Sequence, residues 1–124
     1  MIYEQGQHLT EVIFEFKASK VTIRDAFDFL DELIETIKVE QTTRFLNKLP
    51  PGFDVLCGLK ESCIYFGSWP EHEYNRLIVS SCRHFKHSKI IPLIEKYFSV
   101  NIGETQITIN SDESIKKKVK NLWA

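Results

Sequence analysis

Three short β-type segments follow one another in the middle of the sequence, and they restrict the fold more than any other feature. Residues 53–59, 62–68 and 74–82 are rich in β-branched and aromatic side chains, as strands usually are. The connections between them are short hairpin turns, which join antiparallel rather than parallel strands. The sequence therefore predicts a mostly antiparallel sheet built around these three segments.

Two helices are predicted on either side of these strands, at residues 22–38 and 88–98. Thr22 can cap the first helix, and its apolar residues recur at three-to-four spacing. These residues are Ile23, Phe27, Leu30, Ile34 and Ile37. The second helix begins at Ser88 and presents Ile91, Ile94, Tyr97 and Phe98, although Pro92 falls late for a helix start.

The remaining segments complete the expected order of elements. They are strands at 8–16, 40–47 and 105–109, and a basic helix from about residue 112. This order predicts an α+β two-layer sandwich, with a mostly antiparallel sheet and both main helices on one face. The other sheet face must be polar or covered, so a homodimer or a higher homo-oligomer is expected.

Length and composition restrict the class of protein. A chain of 124 residues predicts one domain, 1–124. With 16 basic and 17 acidic side chains, neither nucleic acid nor an anionic membrane is an expected partner. No apolar run approaches the ~20 residues of a membrane span. The start of the sequence lacks the pattern of a signal peptide, so we expect a cytoplasmic protein.

The three cysteines, Cys57, Cys63 and Cys82, do not form a metal-binding pattern. No two Cys or His residues have CxxC or HxxxH spacing, so no metal is expected. The odd number of cysteines in a cytoplasmic chain predicts free thiols.

A Glu-Ser pair at Glu61 and Ser62 is followed by a strand that ends in Trp69, Pro70 and Glu71, and the next strand ends at Cys82. This pattern resembles the bacterial-type S-adenosylmethionine decarboxylases, whose common form is Glu-Ser-His-x-x-x-His-x-Trp-Pro-Glu with a later cysteine. These six residues match at the family spacing without gaps. Further matches in the family's opening and in the segment before the first middle strand extend the resemblance to roughly residues 6–98: Gly6, His8, Leu9, Phe45, Pro50 and Gly52.

The resemblance implies a pyruvoyl-dependent enzyme that makes its own cofactor. In this family the serine hydroxyl, here that of Ser62, attacks the carbonyl of the preceding glutamate, here Glu61. Cleavage would give a β chain of residues 1–61 and an α chain of residues 62–124, and Ser62 would become the pyruvoyl group. This ketone is the electron sink for decarboxylation of S-adenosylmethionine in spermidine biosynthesis. The resemblance assigns the proton donor to Cys82 and ribose binding to Glu71.

Four positions depart from the family pattern: Cys63 and Gly67 replace histidines, Asp54 replaces a serine that supports processing, and Lys48 replaces an aromatic that stacks on adenine. Because general acid–base help is commonly worth ~10²–10⁴ in rate, the loss of the imidazole at position 67 predicts slow self-cleavage. Tyr65 is expected on the strand face of Gly67, since side chains two positions apart share a face.

Three functions stay open at the level of sequence. The first is decarboxylation of S-adenosylmethionine. The second keeps pyruvoyl chemistry for a small basic amino acid, arginine or ornithine, with Asp54 and Lys48 as the substrate-binding residues that shift the preference. The third is an unprocessed, non-catalytic homologue that regulates an active partner, which the missing histidines favour.

Overall fold

In the described part of the chain, six strands form a single sheet and two helices cover one of its faces. The computed structural model describes residues 10–82, 85–100 and 105–111, without the side chains of the last two. The strands are β1 Thr10–Lys17, β2 Gln41–Leu49, β3 Gly52–Leu59, β4 Cys63–Trp69, β5 Tyr74–Ser81 and β6 Gln106–Ser111. The helices are α1 Ile23–Ile37 and α2 Ile90–Phe98, and 3₁₀ turns lie at Pro70–His72 and His87–Lys89.

The strands are arranged in the order β2-β3-β4-β5-β1-β6. Every described pair of neighbouring strands is antiparallel. Rings from both helices contact the same sheet face: Phe29 of α1 and Phe98 of α2 both lie against Phe66 of β4. The prediction of an α+β two-layer sandwich with both helices on one face is confirmed.

Alternation along the strands separates the two sheet faces. Val55, Phe66, Leu77 and Phe14 are successive register partners on four neighbouring strands, and all are fully buried beneath the helices. The opposite face, which we call the open face, carries the intervening residues. From β3 to β1 these include Asp54, Leu56, Cys63, Tyr65, Gly67, Trp69, Tyr74, Arg76, Ile78, Ile13 and Glu15.

Helix α1 begins as its sequence predicts, but its buried face is rotated from the predicted one. The hydroxyl of Thr22 accepts a hydrogen bond from the backbone N–H of Asp25 at 3.0 Å. Among the predicted apolar residues, only Leu30 and Ile37 are buried, together with Ala26, Phe29 and Leu33. Ile23, Phe27 and Ile34 are half-buried, and the guanidinium of Arg44 on the edge strand β2 covers the Phe27 ring.

Helix α2 begins at Ile90, two residues later than predicted, because Ser88 lies in the preceding 3₁₀ turn. Pro92 is therefore in the first turn, where a missing backbone N–H costs no helical hydrogen bond. Its buried residues are Ile90, Leu93, Ile94 and Phe98, whereas the predicted Ile91 and Tyr97 are half-buried.

Some predicted segments lie outside the described residues, namely the first two residues of the strand at 8–16 and the basic helix from about 112. Within the described ranges, neither helix has the length and apolar character needed to cross a membrane.

Replacement of Phe66 by alanine tests the observed core. Phe66 is fully buried, and its ring lies 5.4 Å from that of Phe98 and 6.1 Å from that of Phe29. We expect Phe66→Ala to lower the free energy of unfolding by about 3–5 kcal/mol, measured by urea denaturation. Leu46→Ala is the control, because Leu46 is 38% exposed at the edge strand and its replacement should change the free energy by only about 1 kcal/mol. Equal losses in the two variants would contradict this core.

Candidate active site

The predicted cleavage bond, between Glu61 and Ser62, lies in the tight turn that joins β3 to β4. The backbone N–H of Leu59 donates a hydrogen bond to the carbonyl oxygen of Ser62 at 2.8 Å, so Lys60 and Glu61 form a two-residue tip. The backbone N–H of Lys60 in turn donates to the carbonyl of Glu40 at 2.9 Å. The bond is therefore held at the end of a hairpin whose strands are paired with each other beyond the turn.

Cys82 lies at the same end of the sheet as this turn. Cys63 of β4 is the register partner of Ser80 of β5. The same register, extended by one and two residues, sets Ser62 opposite Ser81 and Glu61 opposite Cys82. The Cys82 side chain is exposed, and Cys63 is half-buried. We call Glu61, Ser62, Cys63 and Cys82 the processing end of the sheet.

A cavity of about 190 Å³ adjoins the processing end. It lies between the hairpin turn and the connection from α1 to β2, and Ser81 completes its wall. Its other lining residues are two apolar and four charged ones, namely Val39, Leu59, Lys38, Glu40, Lys60 and Glu61. The predicted cleavage bond is thus beside a cavity of mixed polar and apolar lining rather than inside the apolar core.

A second group of predicted site residues surrounds Gly67 on the open face. Asp54, Gly67, Arg76 and Glu15 are successive register partners and form a row across four strands. A Cβ atom on Gly67 would lie 2.6 Å from the Trp69 indole and 2.7 Å from the Tyr65 hydroxyl. The missing side chain therefore lets these two groups meet over the strand.

Tyr65 lies on the face of Gly67, as predicted, and its hydroxyl donates a hydrogen bond to Oδ2 of Asp54 at 3.2 Å. Burial raises the pKa of Tyr65 to about 12, and the charge of Asp54 and this hydrogen bond act in the same direction. The positive charge of Arg76 acts against them. Tyr65 is therefore protonated at neutral pH, where it is a hydrogen-bond donor rather than a base.

Arg76 is a site residue that the sequence prediction missed. Its side chain is half-buried on the open face, between Gly67 and Glu15. Its Nε atom is buried and has no hydrogen-bond partner in the part of the chain that the structure describes. The signal was alternation along β5, where Arg76 shares the positions of Tyr74 and Ile78. We call Asp54, Tyr65, Gly67, Trp69 and Arg76 the Gly67 cluster.

The structure does not bring Lys48 and Asp54 together. Lys48 is the register partner of Phe53, which is buried on the helix side of the sheet, whereas Asp54 pairs with Asn47 on the open face. Both Lys48 and Glu71 are exposed. Glu71 lies in the 3₁₀ turn directly after β4, at the sheet end nearer to Gly67.

The predicted site residues therefore fall into two separate groups within one chain. Gly67 of β4 is five positions after Ser62, which corresponds to about 17 Å of extended strand. Tyr65 lies between Ser62 and Gly67 on this strand, so a ligand of ordinary size that contacts Ser62 does not reach Gly67 within one chain.

Among residues 10–82, 85–100 and 105–111, no three Asp, Glu, His or Cys side chains are grouped so that they could bind a metal ion. His84, which adjoins Cys82 in sequence, lies outside these ranges.

A spectrophotometric titration of tyrosine tests the Tyr65–Asp54 hydrogen bond. The difference between wild type and Tyr65→Phe should contain one tyrosine that titrates at about pH 12, well above the ordinary value of 10.0. Because the folded pKa is raised, the stabilisation is present below pH 10 and is lost as the pH rises to about 12. In Asp54→Asn the same pKa should fall toward 10.0, since the negative charge is gone. A difference titration centred at the ordinary value would contradict the contact.

Comparison with known proteins places this fold among solved structures. No protein-family model and no curated protein matches the sequence. The fold is similar to the crystal structure of the adenosylmethionine decarboxylase from Aquifex aeolicus VF5, with a TM-score of 0.70. That alignment covers 84% of this chain and 89% of the other, at 14% sequence identity. A likeness at this identity shows the fold alone, so this chain has an adenosylmethionine decarboxylase-type fold.

Proposed function

We propose that this chain is a pyruvoyl-dependent decarboxylase of the adenosylmethionine decarboxylase type, which matures by cleavage between Glu61 and Ser62. The observation that carries the proposal is the position of this bond, at the tip of the β3–β4 turn and at the same sheet end as Cys82. The adenosylmethionine decarboxylase-type fold supports it.

The residues at the turn suit self-cleavage. The Ser62 hydroxyl attacks the Glu61 carbonyl, and the peptide C–N bond breaks to leave an ester. Loss of the Ser62 α-proton then breaks the Cβ–O bond and releases the Glu61 carboxylate. Water takes the place of the Ser62 nitrogen, which leaves as ammonia, and a ketone is left at the new chain start. Strand pairing on both sides of the turn would keep the two products together.

The open face suits packing against a second copy of the chain. A row of apolar side chains crosses it, formed by Phe45, Leu56, Ile78 and Ile13 with Tyr65 among them. Phe45 is 64% exposed and Leu56 is 44% exposed, which is more than an isolated domain usually leaves in one row. We therefore propose a homodimer in which the two open faces pack together.

Such a dimer would also join the two groups of site residues. Consider a two-fold axis that lies in the interface and runs perpendicular to the strands. This axis reverses the strand direction of the second copy. Each processing end would then lie over the Gly67 cluster of the partner. Ser62 and Cys82 of one chain, with Asp54, Tyr65 and Glu71 of the other, would form one active site.

In this arrangement Tyr65 takes the position of the missing imidazole as a donor, provided that its single O–H turns from Asp54 to the reacting oxygen. A protonated hydroxyl can stabilise the oxyanion that develops on the Glu61 carbonyl. It cannot accept the proton that must leave the Ser62 hydroxyl, because its pKa is raised to about 12. We therefore expect slow processing, because a donor to the oxyanion is present and a base for the Ser62 proton is missing. Cys82 would supply the proton after decarboxylation, since its exposed thiol lies at the processing end and a positioned thiol can act as a general acid.

S-adenosylmethionine is the first substrate of this proposal, and the exposed carboxylate of Glu71 can accept hydrogen bonds from ribose hydroxyls. Arginine or ornithine is the second candidate. The carboxylate of Asp54 on the open face could bind the cationic side chain of such a substrate. Lys48 lies on the other face and does not contribute to that site. Release of carbon dioxide from the three compounds, compared on processed protein, separates these candidates. The third candidate, a non-catalytic regulator of an active partner, applies only if this chain is never cleaved.

Intact mass spectrometry tests the cleavage. After long incubation the wild type should yield two fragments, 1–61 and 62–124, while Ser62→Ala should stay a single chain, because no other group supplies the attacking oxygen. Ser80→Ala is the matched control, since Ser80 lies nearby opposite Cys63 and has no part in the proposed reaction. It should cleave at the wild-type rate. Cleavage of Ser62→Ala at this bond would identify ordinary proteolysis.

Light scattering tests the proposed dimer with two matched variants. Leu56 and Leu46 are exposed to similar extents, 44% and 38%, but they lie on opposite sheet faces. Leu56→Asp should shift the mass from dimer to monomer, because it sets a charge in the buried row. Leu46→Asp should leave the dimer intact. Loss of the dimer in the Leu46 variant alone would place the interface on the other face.

A further inference from the structure

Arg76 is a charged side chain at the centre of the open face that the proposed reaction does not use. It belongs to the row of Asp54, Gly67 and Glu15, and it lies directly across from the residue without a side chain. Its Nε–H is buried without a hydrogen-bond partner, within the ranges that the structure describes. A buried guanidinium N–H without an acceptor is unfavourable, so a hydrogen-bond acceptor bound at this N–H would stabilise the folded chain.

The two carboxylates nearest in the row are engaged elsewhere. Glu15 accepts a hydrogen bond from the hydroxyl of Tyr74, and Asp54 accepts one from the hydroxyl of Tyr65. Among the described residues, Arg76 forms no ion pair with either of them. The guanidinium is therefore left with capacity for an acceptor from outside the described residues.

The surroundings of Arg76 favour a small planar anion. A guanidinium offers parallel N–H groups that match the two oxygens of a carboxylate. Trp69 and Tyr74 are the next register pair on the open face beyond Gly67 and Arg76, and their ring centroids are 5.6 Å apart. The positive charge of Arg76 acts against the raised pKa of both Tyr65 and Tyr74, so the guanidinium is within electrostatic reach of both phenols.

We infer that Arg76 anchors a carboxylate-binding subsite in the Gly67 cluster, and that its ligand is a small molecule with a carboxylate that the reaction retains. The last step rests on the proposed function. Decarboxylation turns the reacting carboxylate into neutral carbon dioxide, so a guanidinium held on that group would stabilise the ground state more than the transition state. The ligand class is therefore a small dicarboxylate, such as an acidic amino acid, and on this inference the proposed decarboxylase acts on that class in place of S-adenosylmethionine, arginine or ornithine. The same guanidinium disfavours a sulfonium through like charge.

Trp69 provides a direct probe of this subsite. The chain has two tryptophans, so Trp123→Phe leaves Trp69 as the single indole. The second substitution in the test protein is Ser62→Ala, which keeps the chain uncleaved and makes binding independent of processing. We expect succinate to give a saturable change in Trp69 fluorescence. Arg76→Gln should weaken succinate binding about tenfold or more, and Arg76→Lys should weaken it too, because an ammonium lacks the paired N–H groups.

The controls distinguish this subsite from non-specific attraction of an anion and from a role of Arg76 in the dimer. Arg24→Met removes an exposed cation from α1 and should leave succinate binding unchanged.

Absence of a succinate response, or a response that Arg76→Gln leaves intact, would overturn the inference. Inorganic phosphate binding as tightly as succinate would overturn the carboxylate class. Loss of the dimer in Arg76→Gln, with no succinate response in the parent, would assign Arg76 to a carboxylate of the partner and also overturn it. Succinate binding in a chain whose wild type never cleaves would refute the proposed function but leave the carboxylate subsite standing.

Discussion

The antiparallel pairing of β3, β4 and β5 is the constraint on which every other feature of the candidate site depends. It fixes Glu61 and Ser62 at one end of the sheet and sets Asp54, Gly67 and Arg76 in one row toward the other. The same alternation that buries Phe66 beneath the helices turns Tyr65 and Gly67 to the open face. A shift of one residue in this register would exchange the faces, expose the core and bury the polar row.

The loss of a side chain at position 67 is coupled to its neighbours. The space that a Cβ atom would need is filled by the Trp69 indole and the Tyr65 hydroxyl. A histidine at this position would have to displace both groups and the hydrogen bond from Tyr65 to Asp54. The departures from the family pattern at positions 54 and 67 thus form one packed arrangement with Tyr65. The indole and the phenol therefore fill the space that the missing side chain leaves at position 67.

Sequence alone predicted the described strands, the two described helices and the layer architecture, because strand alternation and the Thr22 cap are local signals. It misjudged the buried face of α1, since the edge strand β2 and the cation over Phe27 are tertiary features. Motif spacing identified Glu61 and Ser62 but could not say that their turn lies about 17 Å of strand from Gly67. Arg76 escaped notice for the same reason: only cross-strand register shows that it adjoins Gly67. Lys48 and Asp54 were grouped by motif although they lie on opposite sides of the sheet.

The proposed enzyme requires a ketone at residue 62, so a carbonyl trap is the most direct test of its chemistry. Aged wild-type protein is treated with hydroxylamine, and the intact mass of each fragment is measured. We expect the 62–124 fragment alone to gain the mass of one oxime, while the 1–61 fragment is unchanged. Two fragments without an oxime would mean hydrolysis without cofactor formation. A single unmodified chain after long incubation would contradict the enzymatic function and favour the non-catalytic homologue.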